Sequence, residues 1–136
     1  MTLPTHMRCF LIWTRKARNT RALSIIQKCG FADMHIFPYS RRPGTPADKM
    51  PQQHSNAVKE DRSRRAIDVA EQMRADYHRG LVGQTFPVLF EEPEKGLFAG
   101  HAPNYVKVYV KGENLHNQVR SVTVTGIYEE GVSGTF

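Results

Sequence analysis

The chain has 136 residues, of which 40% are hydrophobic and 24% charged, and it carries a net charge of +6 at neutral pH. That balance excludes a disordered tail. It also leaves no apolar run near the roughly 20 residues a membrane-spanning helix requires. The length suits one ordinary domain or two small modules.

The charge is uneven. Residues 1–79 hold fifteen Lys/Arg and seven Asp/Glu, whereas residues 80–136 hold four and six. A basic surplus confined to one part suits a polyanion such as RNA, which exchanges counterions for cationic side chains. Cys9 and Cys29 are the two cysteines, with nineteen residues between them. They lack metal-ligand spacing, and the expectation is a reduced, cytoplasmic protein. The six histidines are scattered without metal spacing.

In chain order, residues 19–29 read as a short helix. Its buried side carries Leu23, Ile26 and Ile25, and Gly30 is its stop signal. Phe31 to Tyr39 reads as a strand through Met34, Ile36 and Phe37, ended by Pro38. A helix followed by a strand is the αβ unit of a parallel sheet or barrel. In residues 40–55, Pro43, Pro46, Pro51 and Gly44 exclude a regular element. Asn56 then caps a long helix running to about Arg79. Ile67, Ala70, Met73, Tyr77 and Leu81 form its apolar face, with Arg62, Arg64, Arg65, Arg74 and Arg79 around the rest.

Five strand-like runs follow: Gln84–Glu91, Gly96–His101, Asn104–Val110, Gln118–Tyr128 and Val132–Phe136. The turn signals between them are Glu92–Gly96, Ala102–Asn104, Lys111–Asn114 and Glu129–Gly131. Five short strands in so few residues predict a small antiparallel barrel of the OB kind. In Tyr105–Lys111 the valines alternate with Tyr105, Lys107, Tyr109 and Lys111. One face is therefore expected in the core, and the other outside, where two aromatics and two cations suit base stacking and phosphate contact.

The segment Tyr39-Ser40-x-Arg42-x-Gly44-Thr45-x-Ala47 offers small hydroxyls, close backbone approach and planar cations to an anionic partner. It resembles the Y-S-x-R-x-G-T-x-A segment near the end of the catalytic barrel in radical S-adenosylmethionine methylthiotransferases. The resemblance is strongest to the bacterial enzymes that act on N6-threonylcarbamoyladenosine in tRNA. The strand-rich half is similar to the TRAM domain, an RNA-binding barrel of tRNA-modifying enzymes. The residues that carry this are Val88-Leu89-Phe90-Glu91, Gly100, Val106-Lys107-Val108 and Val122-Thr123-Val124-Thr125.

The resemblance implies an α+β architecture. Residues 1–23 are a non-matching basic segment, 24–55 a remnant of the radical S-adenosylmethionine barrel end, 56–82 a linker helix and 83–136 a TRAM-like OB barrel. Ser40, Arg42, Gly44 and Thr45 become a remnant of the barrel-mouth loop. The family binds S-adenosylmethionine and two [4Fe–4S] clusters, each cluster held by three clustered cysteines. This chain has no such triad, so the expectation is a fragment without catalytic residues, cofactor or metal of its own. The implied role is tRNA binding through Tyr105, Lys107, Tyr109 and Lys111, with no membrane partner. A stand-alone RNA-binding protein and a non-functional gene remnant are the alternatives.

Overall fold

The computed structural model describes residues 7–9, 16–51 and 53–136, with side chains from residue 21 onward. It is α+β and divides into two compact units, with the boundary between Arg74 and Ala75.

The first unit is built on a β–α–β arrangement. Strand β1 (Met7–Cys9) pairs in parallel with β2 (Met34–Ile36), and helix α1 (Lys16–Cys29) connects them. Strand β1 falls in the segment from which no element was expected. Helix α1 begins three residues before the predicted start and stops at Gly30, which takes a positive φ of 64°. Leu23 and Ile26 are buried, but Ile25 is exposed, a correction to the expected face. Ile26 packs with Met34 and Ala70, with Phe31, Ile36 and Met73 around them.

Strand β2 is three residues long rather than the predicted nine. The Asp33 carboxylate accepts the Met34 N–H at 2.8 Å, which diverts a ladder donor at one end, and Pro38 has no N–H to offer at the other. Phe37 is consequently outside the strand and exposed. The proline-rich connector does contain one regular turn, helix α2 (Pro46–Lys49), contrary to expectation. Thr45 caps it and Pro46 starts it, the one helical position where the missing N–H costs nothing.

Helix α3 (Asn56–Leu81) has 26 residues and so is about 39 Å long. The Ser55 carbonyl accepts the Lys59 N–H, so Asn56 is the first helical residue rather than the cap. Ala66 and Ala70 are its buried positions in the first unit. Ile67, expected on that face, is exposed. The buried stripe runs 66, 70, 73, and residue 67 lies about 100° around the helix from its start.

The second unit opens with the last turns of α3, which pack Leu81 and the partly buried Tyr77 into the core. The strands are β3 (Thr85–Glu94), β4 (Leu97–His101), β5 (Lys107–Val110), β6 (Val119–Tyr128) and β7 (Gly131–Thr135). They close a barrel in the order β3-β4-β5-β7-β6. Every seam is antiparallel except β5–β7, which is parallel with Val108 opposite Val132. Val88, Phe90, Val108, Val110, Val122, Val124 and Val132 point inward and form the core with Leu81, Ala102, Val106 and Leu115.

Strand β3 runs through Pro93, which was expected in a turn. A register shift between Phe90 and Pro93 accommodates the proline, and the turn contracts to Lys95-Gly96. Both turn residues take positive φ, as a two-residue hairpin loop of right-handed twist demands. Among the described residues, no helix is long and apolar enough to cross a membrane.

Candidate nucleic-acid interface

The four barrel residues expected to share one solvent face fall into three environments. Tyr109 lies on the outer side of β5, in register with Ala99 on β4 and Ser133 on β7. These small flanking residues leave room for Tyr128, which packs edge-on against it with ring centroids 5.0 Å apart. The Tyr109 side chain is only 2% exposed. It is therefore not accessible for a base to stack on, a correction to the reading of the alternating strand. Its hydroxyl is buried and meets no partner at hydrogen-bond geometry.

Lys107 does point outward, but its ammonium is engaged. Nζ donates to Glu94 Oε2 at 2.7 Å and to Glu130 Oε1 at 3.2 Å, and it stands 5.2 Å from the centre of the Tyr109 ring. The Glu94 hydrogen bond is the main reason its pKa is raised well above the ordinary amine value. The nearby Tyr109 hydroxyl, though outside hydrogen-bond geometry, and Glu130 add to the effect. The Glu94 carboxyl is held below its ordinary value by the same contact.

Beside this pair, Lys95 Nζ donates to Glu129 Oε1 at 2.6 Å. Together the two clusters tie the β3–β4 hairpin, strand β5 and the β6–β7 hairpin at one end of the barrel. Glu94, Glu129 and Glu130 outnumber Lys95 and Lys107 there, so a phosphate approaching that end meets carboxylates.

Lys111, just after β5, is exposed and belongs to no ion pair among the described residues. Tyr105 lies in the turn before β5 rather than in the strand, with φ at +62° and its side chain 74% exposed. Sequence reasoning missed Tyr128, Glu94 and Glu130 as neighbours of β5. The only signal for them was their location in or beside the expected turns.

In the first unit, Ser40 and Arg42 are exposed. Gly44 takes a φ of +86° that shapes the turn. The Thr45 hydroxyl donates to the Arg42 carbonyl at 2.8 Å and accepts the Asp48 N–H at 3.3 Å. Arg41 is tied to Asp48, with Nε 2.8 Å from Oδ1 and Nη2 donating to the backbone carbonyl at 3.0 Å. Two of the four loop residues named from the sequence thus shape the loop, and Ser40 and Arg42 remain available to a ligand. A shallow cleft of about 570 Å³ is lined by Phe37, Pro38, Tyr39, Ser40, Arg42, Thr45 and Ala47. Lys59 Nζ sits 5.5 Å from the Tyr39 ring centre. No group of three or more His, Cys, Asp or Glu among the described residues is arranged to hold a metal ion.

No protein-family model matches the chain. Individual proteins do. The threonylcarbamoyladenosine tRNA methylthiotransferase MtaB of Bacillus subtilis is 34% identical over 107 residues, 74% of this chain and 24% of that protein. The ribosomal protein uS12 methylthiotransferase RimO of Opitutus terrae is 36% identical over 78% of this chain and 23% of its own length. The tRNA-2-methylthio-N(6)-dimethylallyladenosine synthase of Maricaulis maris is 32% identical over 83% of this chain and 25% of its own length. The chain thus spans about a quarter of the length of the curated relatives it matches, and over that span it belongs to the methylthiotransferase family.

Proposed function

We propose that this chain is a tRNA-binding portion of a methylthiotransferase, related most closely in substrate to the enzymes acting on N6-threonylcarbamoyladenosine, and that it does not perform the radical chemistry by itself. Three thiolates leave one iron of a [4Fe–4S] cluster open to S-adenosylmethionine, and this chain has two cysteines in all. Ser40 and Arg42 are the residues of the former barrel mouth that remain able to meet an anionic group.

The observation that carries the reading is the segregation of charge. Residues 1–55 hold nine Lys/Arg and two Asp/Glu. On α3, the side chains of Arg62, Arg64 and Arg65 belong to no ion pair among the described residues, whereas Lys95 and Lys107 on the barrel are each held by carboxylates. Free cations release counterions on meeting phosphate; paired ones must first lose a partner. The phosphate contacts are therefore assigned to the first unit and to Lys111. Apart from Lys111, the barrel contributes contacts that do not depend on charge.

The test is the affinity of the chain for labelled tRNA at several salt concentrations. Affinity should fall steeply with salt, and the Arg62→Ala/Arg65→Ala pair should reduce the logarithmic slope by roughly one to two phosphates' worth. Failure to bind tRNA at low salt would sink the reading. The acid-rich end of the barrel favours a second reading, in which that surface meets a basic polypeptide. The Opitutus relative is named for a ribosomal protein substrate. Binding of a basic peptide with no binding of tRNA would decide for it.

A further inference from the structure

We propose that the cleft between Ser40-Arg41 and the start of α3 binds a small phosphate monoester that also carries hydroxyl groups, the chemistry of a sugar phosphate. This goes beyond the tRNA reading and does not depend on it. The cleft holds about 510 Å³, the size of a small-molecule site, and Ser40, Arg41, Asn56, Lys59 and Glu60 supply its polar groups. Arg41 and Arg42 are neighbours in the chain but line different clefts, with Pro38, Tyr39 and Ser40 as the wall common to both. Arg41 stands at a position that the Tyr39–Ala47 signature leaves open, and Lys59 lies beyond the signature altogether.

The Arg41 guanidinium is held ready. Asp48 takes it through Nε and Nη2, which uses two of its five N–H donors and leaves the others for a solute. A guanidinium already fixed on one side loses little further freedom when its remaining donors meet phosphate oxygens. Lys59 brings a second cation. Its ammonium stands 5.5 Å from the Tyr39 ring centre and 3.5 Å from Asn56 Oδ1, and it meets no carboxylate at ion-pair distance among the described residues. The Tyr39 hydroxyl, in the wall, is buried without a hydrogen-bond partner among the described residues.

The charge of the lining selects among anions. Two cations, Arg41 and Lys59, face one acid, Glu60. That excess holds a single phosphate group. A second phosphate, in a polyphosphate or along an RNA backbone, would come against the Glu60 carboxylate. An ionised carboxylate only accepts hydrogen bonds, so the group it suits is a hydroxyl on the body of the ligand.

The experiment is isothermal titration of the full chain with ribose 5-phosphate, inorganic phosphate and ribose, in a low-salt buffer free of phosphate, with thermal melts to confirm folding. Ribose 5-phosphate should bind, inorganic phosphate more weakly, and ribose not at all. Arg41→Met and Lys59→Met should each weaken ribose 5-phosphate binding about tenfold or more. Arg41→Lys keeps the charge but loses the planar fork, and it should also bind weakly. Glu60→Gln should narrow the preference for ribose 5-phosphate over phosphate. Lys28→Met removes one charge from the exposed end of α1 and should bind like the parent. Should Arg41→Met fail to fold, Arg41→Lys and Lys59→Met carry the test. Parent-like binding by Arg41→Lys or Lys59→Met overturns the site, as does an equal loss in Lys28→Met, which would mean diffuse attraction to a basic surface. Phosphate binding as tightly as ribose 5-phosphate overturns the assignment of a hydroxyl-bearing ester. Binding of tRNA without binding of ribose 5-phosphate overturns the proposal and leaves the tRNA reading intact.

Discussion

Tyr128 meets Tyr109 edge-on, with ring centroids 5.0 Å apart and planes at 62°, and so the most aromatic position of β5 becomes part of the packed protein. The favourable part of this contact is the ring, since the Tyr109 hydroxyl is buried without a hydrogen-bond partner. Tyr109→Phe should therefore raise stability by about 1 kcal/mol, through removal of an unsatisfied polar group. Tyr109→Ala should lower it by roughly 3–5 kcal/mol. Urea denaturation of both variants checks this; a phenylalanine variant weaker than the parent would mean that the hydroxyl has a partner.

The Glu94–Lys107 contact makes stability depend on pH in two windows. The Lys107 pKa is raised on folding, so its contribution is complete below the unfolded value of about 10.4 and is lost as pH climbs through the higher folded value. The Glu94 pKa is depressed, so its contribution is present above the unfolded value of about 4.3 and fades as pH falls through the folded one. Lys107→Met should flatten both flanks of the stability profile relative to the parent, and Glu94→Gln should flatten the acid flank and most of the alkaline one, with Glu130 still supporting Lys107. Because both side chains are partly in water, added salt should shrink these differences. Denaturation midpoints across the pH range read all of this.

Two barrel glycines are required by close backbone approach. A Cβ on Gly100 would lie 2.4 Å from the Leu89 carbonyl oxygen, and one on Gly131 would lie 2.2 Å from the Lys107 carbonyl oxygen. Neither clash can be relieved by turning a side chain, so Gly100→Ala and Gly131→Ala should each cost roughly 1–3 kcal/mol or more. At Gly126 the nearest atom is the Ser133 hydroxyl at 3.5 Å, and Gly126→Ala should be tolerated. Thermal melts of the three variants separate the cases.

The barrel core includes Leu81 and packs against Tyr77, both on α3. A fragment beginning at Ala75 should fold cooperatively. One beginning at Gly83 lacks both side chains and should be less stable by roughly 2–5 kcal/mol. Circular dichroism melts of the two fragments test this, and equal melting temperatures would show the helix turns to be dispensable.

The barrel strands were legible because alternating valines and turn residues report locally on a half-buried sheet. The same alternation identified the side of β5 on which Tyr109 lies but held no information on what covers that side. Tyr128 comes from a distant strand, and its approach depends on Ala99 and Ser133 being small. Tyr105 was misplaced into a strand although the preceding Pro103-Asn104 pair signals a turn. Ile67 was misassigned because a helix face read from large residues overlooks alanines, and here Ala66 and Ala70 carry the contact. In the Tyr39–Ala47 loop the residue types were plain. Which of them face a ligand was not, because Thr45 and Gly44 serve the turn that α2 begins.

The two sheets differ in how they end. The barrel closes through its parallel β5–β7 seam, while among the described residues β1 and β2 form a two-stranded sheet with an open side on each strand. Exposed strand edges recruit further strands, from the same chain or from others. Self-association at high concentration should therefore begin at residues 7–9 and 34–36. A proline or a lysine placed on those edges is the economical way to keep the whole chain in solution, whereas altering the barrel surface would do little.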